Sequence, residues 1–139
     1  MPDSNRLQHN SEAAFKLAQK RRRIMLTQLE CELEEATFTL STMPHHDEYR
    51  GGCLVVKMVK CGKDGCRCKN GALHGPYTYY QYRDTHGKLH QKYLSRKEED
   101  KVVDAVRENA AYKKELSHIR NLKKQIAQLR REVEADGQA

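Results

Sequence analysis

Three cysteines and a histidine lie close together in the middle of the chain. Their spacing is C-x4-C-x-C-x5-H, formed by Cys61, Cys66, Cys68 and His74. Thiolates and imidazoles are the ligands of structural zinc, so this loop predicts a tetrahedral zinc site that closes without distant residues. Several glycines in the same loop permit the backbone angles that tight chelate loops need. Two other interpretations stay open: reduced thiols without a metal, and iron–sulfur or redox chemistry.

A further cysteine, Cys53, is an alternative fourth ligand. It precedes Cys61 by one short segment, so a hairpin can carry it to the site. The apolar run that follows Cys53 is equally typical of a strand with a buried thiol. The spacing alone therefore leaves the choice between Cys53 and His74 open.

The loop and the segment after it resemble a known family. The run CGKDGCRCKNG, followed by HGPYTYYQYR, is similar to an uncharacterised bacterial and archaeal domain with the signature C-G-K-x-x-C-x-C and then H-G-P-Y-x-Y. The resemblance covers about residues 50 to 96. Its pattern includes His74 and omits Cys53, which implies His74 as the fourth ligand. It implies no activity, only an association with mobile elements, as small transposase-associated accessory proteins.

Composition restricts the size of any hydrophobic core. Of 139 residues, 37 % are hydrophobic, with two Phe and no Trp, so a large hydrophobic core is excluded. A chain of this kind is expected to need a stabilising cross-link, such as a bound metal or a disulfide. Five cysteines without a secretory signal favour metal binding in a reducing cytoplasm over disulfides. No run of about eighteen apolar residues is present, so we expect a soluble cytoplasmic protein without membrane contact.

The positive charge is confined to one segment. Residues 51–96 contain nine Lys or Arg and two Asp, which gives +7, whereas the rest of the chain has seventeen residues of each sign. A basic module between neutral arms is typical of a phosphate-binding surface. The alternative is that these cations only solubilise a small sheet and balance the thiolates.

Periodicity predicts the elements around this segment. A helix is expected from Ser11, its N-cap, to Leu40, a strand over Leu54 to Val59, and a hairpin of strands 77–83 and 88–94 around a tip at 84–87. The capping box Ser95-Arg96-Lys97-Glu98 predicts a second helix that runs to about Glu134.

The predicted fold class is α+β: a small three-stranded antiparallel β module, stapled by zinc and inserted between two long helices that form a coiled coil. Three segments follow from these elements. They are an N-terminal arm over 1–44, the basic zinc-binding module over 45–96, and a C-terminal arm over 97–139.

Basic and aromatic side chains alternate along the predicted hairpin. Alternation places Tyr77, Tyr79, Gln81 and Arg83 on one face of the first strand and Lys88, His90 and Lys92 on one face of the second, so one face of the sheet can be basic and aromatic together. The alternative is that the tyrosines simply cover a small sheet. The predicted phosphate contacts are Lys57, Lys63, Arg67, Lys69, Arg83, Lys88 and Lys92, with Tyr79 and His86 as base or sugar contacts.

The second helix carries a heptad seam of apolar residues: Ile119, Leu122, Ile126, Leu129 and Val133. If Leu40 lies beside Glu98 in an antiparallel pair, this seam faces residues 5 to 19, which contain few apolar side chains. The mismatch predicts that the seam pairs with a second copy of the chain in a homodimer.

These patterns favour a nucleic-acid-binding accessory protein of a mobile element, with DNA favoured over RNA and a transposase or recombinase as partner. The alternative is a dimeric coiled-coil adaptor for protein interactions, in which the zinc module is structural. We do not expect an enzyme, because the sequence has no paired carboxylates and no nucleophile with a base, and four ligands already close the predicted metal site.

Overall fold

Two long helices flank a three-stranded sheet. The computed structural model describes residues 4–138, with side chains from residue 8, so residues 1–3 and 139 of the predicted arms lie outside the described residues. The main elements are α1 (Ser4–Thr42), β1 (Cys53–Val59), β2 (His74–Arg83), β3 (Leu89–Tyr93) and α2 (Arg96–Gln138). Two short 3-10 helices, Asp47–Tyr49 and Arg67–Asn70, lie in the connections. The predicted α+β architecture is confirmed.

The helix α1 begins at Ser4, so the predicted N-cap at Ser11 is wrong. No Gly or Pro lies between these two serines, and nothing in that stretch stops helical hydrogen bonding. The helix ends at Thr42, two residues beyond the predicted end at Leu40 and two residues before Pro44, which disfavours further helical turns. No helix of residues 4–138 combines the length and the apolar character that a membrane crossing requires.

The helix α2 begins with the predicted capping box. The Ser95 Oγ accepts a hydrogen bond from the Glu98 backbone N–H at 3.3 Å, and the Glu98 carboxylate accepts one from the Ser95 N–H at 3.2 Å. The backbone and side-chain hydrogen bonds from Ser95 hold the pKa of Glu98 below its ordinary value. This reciprocal pair satisfies two donors that the first helical turn would otherwise leave unpaired.

The sheet has the order β1-β2-β3, and both pairs are antiparallel. Residues directly opposite each other share a face, so Leu54, Tyr80 and Lys92 lie on one face, with Thr78, Tyr82 and His90 along the same strands. We call this the covered face, because Tyr80 and Leu94 are buried against Val102 of α2. The core of the sheet therefore depends on the first turns of α2.

The chain divides into two compact units. One contains α1 together with α2 from Lys114 onward, and the other contains Met43–Lys113. The first part of α2 thus belongs with the sheet, whereas the predicted division placed the boundary at residue 96. The division falls inside a continuous helix because Val102 and Val106 complete the core of the sheet.

In the helical unit, α1 and α2 pack antiparallel. Ala36 is buried with Ile119 and Leu122, and two ion pairs, Arg22 with Asp136 and Glu30 with Arg130, fix the pairing. The distal seam of α2 therefore faces the apolar part of α1 and not residues 5 to 19. The inference that this seam has no partner within the chain is wrong, because the early turns of α2 are used by the sheet.

Candidate metal centre and open sheet face

The three cysteines and the histidine converge on one point. Their ligand atoms all lie within 4.8 Å of one another, with the Cys61 and Cys68 sulfurs 3.4 Å apart and the Cys66 Sγ 3.2 Å from the His74 Nε2. In a tetrahedral site with zinc–sulfur bonds of about 2.3 Å, neighbouring sulfurs are separated by about 3.8 Å. The four side chains therefore fit a single metal ion of this type.

The paired ends of β1 and β2 position this cluster. Val59 pairs with His74, so the loop that holds the three cysteines leaves and re-enters the sheet at adjacent points. Gly75 has a φ of 122°, and a Cβ there would lie 3.0 Å from the Lys57 carbonyl oxygen. Only glycine fits that position without displacing the backbone of β1.

Hydrogen bonds within the cluster shift the pKa values of Cys66 and Cys61 in opposite directions. The Cys68 backbone N–H, together with hydrogen bonds from Cys61, Cys68 and His74, lowers the pKa of Cys66 to about 6. For Cys61, the Lys63 N–H lowers the pKa, but hydrogen bonds to Cys66 and Cys68 and burial outweigh it, so the net shift is upward. The Cys68 side chain is 0 % exposed. A lowered pKa favours the thiolate form of Cys66, and the thiolate is the form that binds a metal cation.

Cys53 takes no part in this cluster. It is the first residue of β1, exposed and paired with Gln81, whereas the metal loop follows the last residue of that strand. The sequence left Cys53 and His74 as alternatives, and the structure places His74 with the three thiols.

The other face of the sheet carries an aromatic cluster. We call it the open face and define it by Lys57, Tyr77, Tyr79, Gln81, Arg83, Gln91 and Tyr93. Tyr93 meets Tyr77 and Tyr79 edge to face, with ring centroids 5.8 and 5.9 Å apart. The Lys57 ammonium lies 4.5 Å from the centroid of the Tyr79 ring. A cation and three tyrosine rings therefore share one surface.

The predicted nucleic-acid contacts fall into separate groups. Three of them, Lys57, Tyr79 and Arg83, lie on the open face. Another three, Lys63, Arg67 and Lys69, lie in the metal loop. His86 and Lys88 lie in the hairpin tip, and Lys92 lies on the covered face opposite Tyr80. The sequence argument omitted Tyr77 and Tyr93, although strand alternation combined with the correct hairpin register identifies both.

Asp84 organises the hairpin tip. Its carboxylate accepts hydrogen bonds from the backbone N–H groups of His86 and Lys88 at 2.9 Å and contacts the His90 ring at 2.7 Å. The His90 ring and the Lys88 N–H hold the pKa of Asp84 below its ordinary value. The Arg83 guanidinium donates to the Gly87 carbonyl at 2.9 Å. The tip is thus fixed by its own side chains.

The predicted dimer seam lies inside the helical unit of one chain. Ile119, Leu122, Ile126 and Leu129 are buried, and Val133 is half-buried. A dimer formed through these residues would require α1 to leave them. Dimerisation therefore stays a prediction, and this seam no longer supports it.

One comparison with known proteins shows the family to which the chain belongs. No curated protein and no solved structure matches it significantly. A family model described as a domain of unknown function, DUF6788, matches residues 17–104. That range includes most of α1, the metal loop, the whole sheet and the first turns of α2. The chain therefore belongs to the DUF6788 family.

Proposed function

We propose that this protein binds nucleic acid through its β module, with the open face as the main contact surface. One observation carries the proposal: Lys57 lies against Tyr79 beside Tyr77 and Tyr93, in the segment that holds all of the net charge. Cations attract phosphates, and tyrosine rings accept stacked bases. A surface that served only to keep the sheet soluble would need cations but no exposed tyrosine rings beside them.

The arrangement favours single strands over duplexes. Base stacking on an aromatic side chain requires an unpaired base, and each stacked base contributes about 1–3 kcal/mol. Tyr93 is 52 % exposed at the edge of the tyrosine cluster, so its ring is accessible to a base. Lys57 and Arg83 on the same face would hold the phosphates on either side.

We propose that the metal is zinc and that its role is structural. Cys61, Cys66, Cys68 and His74 would hold it, and four protein ligands leave no position for a substrate. The ion would supply cross-linking of the loop between β1 and β2, which positions Lys63, Arg67 and Lys69 beside the sheet. No enzymatic role is proposed.

The biological setting is proposed from the resemblance in the metal loop. That resemblance suggests an accessory protein of a mobile element in the cytoplasm, with a transposase or recombinase as partner. Because a transposase or recombinase acts on DNA, DNA is proposed as the ligand ahead of RNA. The alternative function is an adaptor for protein interactions, in which the module is only a structural cap.

Fluorescence anisotropy with labelled oligonucleotides tests the proposal. Single-stranded DNA, duplex DNA and RNA of equal length are titrated with the parent and with Tyr93→Ala. Loss of one stacked base should weaken binding to single strands by about 5- to 150-fold. Tyr82→Ala is the matched control, because Tyr82 is also exposed but lies on the covered face. Circular dichroism and metal content confirm that each variant is folded.

The outcomes separate the two functions. Single-strand preference that Tyr93→Ala removes and Tyr82→Ala keeps supports the proposal. Equal effects of both substitutions would contradict the open face as the contact surface. If the parent binds none of the three ligands at low salt, the adaptor is the better account.

A further inference from the structure

The helix α1 carries a second apolar stripe that does not face α2. Its inner side, which includes Leu33 and Ala36, packs against α2. Leu17, Ile24, Cys31 and Phe38 recur at every seventh position, so each heptad contributes one apolar residue to the same side of the helix. At about 100° per residue they lie on the side of the helix opposite Leu33. We call these four residues the outer stripe.

The outer stripe is strongly exposed. Leu17 is 48 %, Ile24 57 % and Phe38 71 % exposed, and Cys31 is also exposed. A helix that only needed to pack against α2 would carry polar residues here, as the side opposite a core normally does. A row of exposed apolar side chains, one in each heptad with polar residues between them, gives this side of the helix the mixed character of an interaction surface.

The charges beside the stripe limit the orientation of a partner. Lys20 and Arg21 lie in the first half of the helix and Glu34 and Glu35 in the second, and all four are exposed. The nearby Arg22 is already paired with Asp136 of α2, so it belongs to the contact within the chain. A second α1 in parallel would place like charges together, whereas an antiparallel one would place opposite charges together.

We propose that the outer stripe pairs with the outer stripe of a second copy of this chain in an antiparallel arrangement. A two-fold axis between residues 27 and 28 sets Leu17 opposite Phe38 and Ile24 opposite Cys31. The same register sets the basic pair Lys20 and Arg21 opposite the acidic pair Glu34 and Glu35. The dimer thus forms through α1 and leaves the buried seam of α2 in place. It does not depend on nucleic-acid binding.

Complementary charge reversal tests this pairing. The acidic variant carries Lys20→Glu and Arg21→Glu, and the basic variant carries Glu34→Lys and Glu35→Lys. Each variant repels itself along the whole stripe, so self-association at low salt should weaken by at least about tenfold. An equimolar mixture should form a heterodimer, because each half of one helix then meets the opposite charge. Sedimentation velocity at micromolar concentrations measures all three samples.

Two further samples make the result specific. Lys123→Glu with Lys124→Glu reverses two adjacent exposed cations on α2 and should leave the dimer intact. Ile24→Gln with Phe38→Gln should give a monomer that keeps its helix content. A parent that is monomeric at all concentrations would overturn the proposal. So would a dimer that the charge variants leave unchanged, or a mixture of the two variants that stays monomeric.

Discussion

A methyl group added at Gly52 should destabilise the β module, because the backbone there lies directly against the ring of Tyr80. A Cβ on Gly52 would lie 2.2–2.3 Å from the Cζ, hydroxyl and Cε2 atoms of Tyr80. Carbon atoms in contact are ordinarily about 3.5–4.0 Å apart, so the ring or β1 must move by more than about 1 Å. Tyr80 is 4 % exposed and packs against Leu94 and Val102, so the ring has little room to move.

Overpacking of this kind costs about 1–3 kcal/mol, and we expect Gly52→Ala to lie near the upper value. Urea denaturation of the metal-loaded protein, followed by circular dichroism, measures the free energy of unfolding. Gly62→Ala is the control, because its Cβ would meet no atom within 4 Å, and it should change stability little. In a Tyr80→Leu background the cost of Gly52→Ala should fall by at least about 1 kcal/mol. An unchanged midpoint for Gly52→Ala, or an equal cost in both backgrounds, would refute this account of the contact.

Three other predictions address the metal site, the hairpin tip and the helix pair. Purified protein should hold one metal ion per chain by elemental analysis, and chelation or Cys68→Ser should unfold the module; a folded, metal-free chain contradicts this. Asp84, whose pKa is lowered on folding, stabilises the protein above its ordinary pKa of 3.8 and loses this effect as the pH falls through the folded value. The stability difference between the parent and Asp84→Asn should therefore shrink in acid, and a constant difference would show that the charge plays no part. Leu122→Ala removes a side chain that is 3 % exposed and should lower the free energy of unfolding by about 2–5 kcal/mol in urea titrations, so a near-neutral change would argue against this core.

Features set by nearby residues were predictable from the sequence. The capping box at Ser95 and Glu98 depends on residues within one turn, and the structure confirms it. The cluster at Cys61, Cys66 and Cys68 depends on one loop, and the predicted ligands come together. Local hydrogen bonding and chain stiffness decide such features, so distant packing cannot change them.

Features set by distant packing were not predictable in the same way. The hairpin prediction began the last strand at Lys88, but the structure pairs Arg83 with Leu89 and keeps Lys88 in the tip. A shift of one residue moves every side chain to the opposite face, so Tyr93 joins the open face and Lys92 the covered face. The predicted helix pairing was wrong for a related reason. The first turns of α2 pack in the core of the sheet, so only the later turns are left to face α1.

The salt dependence of binding to single-stranded DNA tests the proposed function most directly. Released counterions give a slope of log affinity against log salt of about −0.7 for each phosphate neutralised on a single strand. Replacing Lys57 and Arg83 with Gln should therefore reduce the slope by about 1.4, while the same change at Lys123 and Lys124 of α2 should leave it unaltered. A parent that fails to bind at low salt, or a slope that the open-face substitutions do not change, would contradict nucleic-acid binding through this surface.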